Sequence, residues 1–148
     1  WAKISEAHHV PMRLWMLCMS PSQAMIEAAR KENGPHFDKS VQVYGNTVAA
    51  AALAKSGPVV LPVGSILVKE KGKQVGHTTT VDGLGVMIKR AGPKFQASGG
   101  WEFLFYPASG DKTKTHQVCA ACHQGVANHD HLFGDYPEKR IQVAQHRP

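Results

Sequence analysis

Two hydrophobic periods divide the chain. Residues 40–44, Ser-Val-Gln-Val-Tyr, place apolar side chains at every second position, the period of a half-buried strand. Residues 101–106, Trp-Glu-Phe-Leu-Phe-Tyr, follow Gly99 and Gly100 and predict another strand, with Trp101, Phe103 and Phe105 on one face and Leu104 and Tyr106 on the other. Residues 63–70 predict a third, closed by a turn between Gly72 and Gly76. Residues 78–90 predict one long strand or two shorter ones, in which Gly83 and Gly85 permit a bulge or close packing.

Helix signals lie between them. Ser20 as N-cap and Pro21 at the first helical position open a helix over 23–30, stopped by Gly34-Pro35. A turn at Gly45-Asn46-Thr47 starts an Ala-rich helix over 48–55, ended by Gly57-Pro58. A third, short helix falls at 116–127. Residues 1–19 read as an extended lead-in rich in His and Met, 107–115 as a polar loop, and 129–148 have no clear period. Strands joined by short Gly turns predict an α+β fold, mainly antiparallel sheet with a few flanking helices. One structural domain is expected, with an N-terminal extension and helix (1–38) packed on the body of the domain (39–148).

Composition narrows the class. Of 148 residues, 43% are apolar and 19% charged, with 14 Gly and 9 Pro; this excludes a disordered chain, a collagen and a coiled coil. The longest apolar-leaning stretch, 10–19, is broken by Pro11 and Arg13, so no membrane span is expected. Seventeen Lys and Arg against eleven Asp and Glu leave +6. The cations are scattered, and the densest group, 69–73, is interrupted by Glu70, so a solvated surface fits better than a nucleic-acid site.

The chemistry sits at Cys119-Ala120-Ala121-Cys122-His123, the attachment signature of a c-type haem. On a helix, positions i, i+3 and i+4 share a face. Two thiols there reach the two haem vinyl groups, and the imidazole of His123 lies beneath the iron. From these Cys and His frequencies the pattern arises by chance with probability of roughly 0.4%. A zinc site needs a second ligand pair, and His129 and His131 follow too closely and too near each other to supply one. A thioredoxin-like pair needs a βαβ setting that the surrounding pattern lacks. Haem c is attached outside the cytoplasmic membrane in bacteria, so a periplasmic or extracellular chain is expected, its signal peptide removed ahead of Trp1.

From Tyr44 to Pro137 the chain resembles the cytochrome P-460 family, including its cytochrome c-prime-beta branch. The landmarks are Val43-Tyr44-Gly45-Asn46, then 64–70 (Gly-Ser-Ile-Leu-Val-Lys-Glu), then 99–106, then the haem signature followed by Asp130-His131-Leu132-Phe133 and Tyr136-Pro137. They cover about two thirds of the chain in the family's order; residues 1–38 have no comparably clear match. The resemblance implies a mono-haem protein, often homodimeric, whose iron is bound by the motif His and faces an open or water-filled distal site. It also implies that 39–148 is the haem domain. In hydroxylamine-oxidising members a lysine amine is joined to the haem edge, and Lys69 stands at the matching place. The other branch lacks that link, has an aromatic distal pocket and binds nitric oxide or carbon monoxide.

Read from the residues alone, Lys69 shares a strand face with Ser65 and Leu67 while Glu70 shares the other with Ile66 and Val68, so one charge faces the core or the strand ends there. A lysine nucleophile must be neutral, which burial against an apolar face favours. Hydroxylamine chemistry also wants a distal carboxylate; Asp82, Glu102, Asp111 and Asp130 are the candidates by type. The stripe Trp101, Phe103, Phe105 reads equally as core and as haem wall. Candidate sixth ligands are His129, His131, Met87 and the cluster Met12, Met16, Met19. Cys18 reads as a small buried hydrophobe, with an intermolecular disulfide as the alternative. Three functions remain open: hydroxylamine and nitric oxide oxidoreduction with Lys69 cross-linked, nitric oxide binding without turnover, and electron transfer, alone or within a larger redox complex. A redox partner protein is expected for any of them.

Overall fold

The structure is a computed structural model that describes residues 1–5, 8–9, 22–33, 39–55, 57–75, 78–110, 114–115 and 117–133. Cys18, the Met12, Met16 and Met19 cluster, Ser20, Pro21, the Gly34-Pro35 stop, Gly76, Asp111 and Tyr136-Pro137 lie outside the described residues.

The chain is α+β. Its strands are β1 (Ala2–Lys3), β2 (His8–His9), β3 (Ser40–Gly45), β4 (Ile66–Val75), β5 (Thr78–Lys89), β6 (Trp101–Pro107) and β7 (Lys114–Thr115). They form one antiparallel sheet in the order β1-β3-β4-β5-β6-β7, with β2 also paired to β3. The helices are α1 (Gln23–Asn33), α2 (Thr47–Leu53) and α3 (Gln117–Gln124). Short 3-10 segments cover Pro93–Ser98 and Ala127–His129.

The strands at 40–45 and 101–107 follow their alternation. In β3, Val41 and Val43 are buried while Gln42 and Tyr44 are half-buried. β4 departs from its expected limits. It begins at Ile66 rather than Val63 and runs past Glu70 to Val75. Lys and Gly are poor strand formers, but β3 and β5 flank this segment and their ladders satisfy its backbone. Gly72 therefore lies inside the strand, at a register break after Lys71, and does not open a turn. The lead-in is also strand in part. The amide of Ile4 donates to the carbonyl of Val43 at 2.8 Å, and Ile4 joins the core.

Helix starts follow side-chain chemistry. At the start of α1 the hydroxyl of Ser22 accepts from the amide of Met25 at 3.3 Å. Asn46 caps α2: its Oδ1 accepts from Ala49 at 3.0 Å and from Ile66 at 3.1 Å, and its Nδ2 donates to the carbonyl of Gly64 at 2.9 Å. One side chain thus ties the start of α2 to the start of β4. Ala49, Ala50 and Leu53 bury the inner face of α2. The core continues through Leu61, Leu67, Trp101, Phe103 and Leu132. Full burial of a Leu side chain contributes about 1.5–3 kcal/mol. Among the described residues no helix is long and apolar enough to cross a membrane.

Candidate haem site

α3 is shorter than the expected 116–127 helix and holds all three motif residues. Cys119 is half-buried and, with Ala120, packs against the core; Cys122 is exposed; both are free thiols. His123 sits near the C-terminal end of α3, its ring 4.9 Å from that of Phe103 and 4.8 Å from that of Phe133.

The orientation of His123 is fixed by one bond. Its Nδ1 lies 2.6 Å from the carbonyl oxygen of His131. A carbonyl only accepts, so Nδ1 carries the proton and Nε2 keeps its lone pair. That is the tautomer a metal ligand needs. Burial lowers the pKa of His123, the His131 carbonyl opposes this, and Lys69 adds to it.

Opposite His123 the sheet forms the other wall of a partly open cleft. Val43, Leu67, Lys69, Gly85 and Met87 line it from β3, β4 and β5, and Leu132 and Phe133 line it from the segment after α3. Lys69 stands opposite Val43 on one neighbour and Gly85 on the other, at the middle of β4. Leu67 and Lys71, which share its face, are both buried. Lys69 is therefore no frayed strand end. Burial is the main cause that lowers its pKa, with Lys71 second. Both push the group toward the neutral, nucleophilic amine.

Lys71 escaped the sequence reading. It is only 6% exposed, with its Nζ 4.8 Å from the centre of the Phe105 ring, and burial lowers its pKa too. Its signal was present in the alternation Leu67, Lys69, Lys71, hidden by ending the strand at Glu70. Burial also raises the pKa of the Cys119 thiol, with Lys71 opposing.

The carboxylates stand elsewhere. Asp82 pairs with Lys39 at 2.6 Å and Glu102 with Arg90 at 2.8 Å. Asp130 is bound to Lys89 and accepts from the amide of Leu61 at 2.8 Å. None of the three lines the cleft. Of the candidate sixth ligands, Met87 lines the cleft, whereas the Nδ1 of His129 is 2.9 Å from the carbonyl of Leu132 and the His131 ring is buried. The aromatic stripe divides. Trp101 is core, its indole donating to the carbonyl of Asp130 at 2.9 Å; Phe103 packs against the His123 ring; Phe105 covers Lys71.

These residues fit a covalently held haem. Two thiols and an imidazole with a free Nε2 share one helix, and the facing wall is largely apolar. Phe133 is 56% and Val118 69% exposed beside the motif, apolar surface that a flat apolar ligand would cover. The family model described as Cytochrome P460 matches residues 20–134. No curated protein matches the chain.

Proposed function

The chain belongs to the cytochrome P460 family of haem cytochromes, and from that premise we propose that it is a periplasmic, mono-haem c protein acting on hydroxylamine and nitric oxide. The observation that carries the reading is the pairing of Lys69 with His123 across one apolar cleft.

The geometry supports a role for each residue of the cleft. The thiols of Cys119 and Cys122 would hold the haem through its two vinyl groups. His123 ligates through Nε2, held by the His131 carbonyl. When bound, the haem supplies an iron that exchanges single electrons and offers a coordination position to a small nitrogen ligand. Val43, Leu67 and Leu132 exclude water from the cleft. Lys69, desolvated and pushed toward its neutral form, would be the residue able to bond to the haem edge. Electrons from substrate leave to a partner protein, and the assembly is a homodimer or a subunit of a larger redox complex.

Met87 in the same cleft favours a second reading, a six-coordinate electron carrier with His123 and Met87 as ligands. The ferrous optical spectrum separates the two. A cross-linked, five-coordinate haem has its main band far to the red and binds carbon monoxide; a His/Met haem shows low-spin bands and does not. Lys69→Ala returns the red-shifted band to an ordinary c-type position and removes hydroxylamine turnover with an artificial acceptor. An ordinary c-type spectrum with carbon monoxide binding in the wild type leaves nitric oxide capture without turnover.

A further inference from the structure

The side chain of Asp130 is buried and does not line the cleft; its carboxylate binds two parts of the fold and its backbone carbonyl a third. We propose that Asp130 is a positioning residue for the haem ligand: its carboxylate locks the turn whose carbonyl holds His123. This rests on the haem reading above and assigns a role to a residue that sequence offered only as a candidate distal acid.

Asp130 and His131 both have positive φ, 51° and 61°. Two successive non-glycine residues adopt this conformation only where their surroundings over-determine it. Here they do. One carboxylate oxygen of Asp130 binds the ammonium of Lys89, at the end of β5. The other accepts from the amide of Leu61 at 2.8 Å. The backbone carbonyl of Asp130 accepts from the indole of Trp101 at 2.9 Å. The amide of His131 donates to the carbonyl of Val126 at 3.0 Å, and the Lys89 ammonium also lies 4.7 Å over the Trp101 ring. Held this way, the His131 carbonyl is aimed at the Nδ1–H of His123, 2.6 Å away.

The arrangement has a consequence for the iron. A hydrogen bond from Nδ1 to a carbonyl gives the imidazole partial anionic character, strengthens its bond to iron and favours the ferric state. Asp130 touches neither ligand nor cleft, so it acts through the carbonyl. Lys89 lies two residues beyond Met87 on β5, so the same ion pair ties the His123 side of the cleft to the sheet that forms its other wall.

Resonance Raman of the ferrous, haem-loaded protein reads the iron–histidine stretch directly. We expect a lower stretching frequency and a more positive reduction potential in Asp130→Gly, where the backbone stays at ease but the carboxylate is gone, and in Asp130→Asn, where a donor faces Lys89. Lys89→Met, which keeps the bond to Leu61, shifts both less and decides the matter should the Asp130 variants fail to accumulate. Leu53→Ala, a core truncation under α2, lowers the melting temperature and leaves the stretch in place. An unmoved stretch in haem-loaded Asp130 or Lys89 variants overturns the positioning role, as does an equal shift in Leu53→Ala. A wild type that binds no haem overturns the haem reading itself, a separate and recognisable result; in a six-coordinate haem the reduction potential carries the same comparison between variants.

Discussion

Replacing Lys69 by Met tests whether the cleft imposes a cost on the chain that carries it. Lys69 lies mid-strand between Leu67 and Lys71, and among the described residues it has no carboxylate or hydrogen-bond partner. Burial and the neighbouring ammonium lower its pKa below 10.5. The unfolded chain therefore binds the Lys69 proton more readily than the folded one, and stability rises with pH from the lowered folded value up to 10.5. A buried group without a partner costs about 1–3 kcal/mol. Lys69 keeps part of its hydration, so about 1–2 kcal/mol is the expected gain for Lys69→Met near neutral pH. For a chain of this size that is a rise of roughly 2–8 °C in melting temperature. The background is Cys119→Ser with Cys122→Ser, which carries no covalent haem, followed by circular dichroism melts at stepped pH. The gap between Lys and Met should narrow as pH approaches 10.5. A Met variant less stable at every pH, or a gap that ignores pH, would refute the argument that this amine is desolvated.

Three further outcomes follow from single contacts. Asn46→Ala removes the cap of α2 and the acceptor for Ile66; denaturant unfolding should show a loss of about 2–3 kcal/mol. Gly99 has φ 62° and packs against the buried His131 ring, so Gly99→Ala should lower the melting temperature and, in the haem-loaded protein, shift the iron–histidine stretch. Cys122→Ala should leave one thioether at Cys119, read as a pyridine haemochrome band displaced from the two-thioether position; release of all pigment by acid–acetone would contradict attachment through Cys119.

Part of this molecule is local and was legible in its residues. Cys119, Cys122 and His123 share a face because helical geometry repeats every few residues, which needs no tertiary partner. The strands at 40–45 and 101–107 and the capped helix after Asn46 are local in the same sense. Lys69 is different. Its burial requires β4 to continue through poor strand formers, and only the ladders from β3 and β5 on both sides make it do so. Asp130 is more distant still from anything a short window reveals. Its partners Trp101, Lys89 and Leu61 lie 29, 41 and 69 residues away along the chain. A carboxylate in a short run reads as a surface acid because charge is cheapest in water. Its role emerges only when the fold brings an ammonium, an amide and an indole to one turn. Periodicity thus determined that two thiols and an imidazole share one helix, while long-range packing decided which side chains line the cleft and which hold the His123 ring in place.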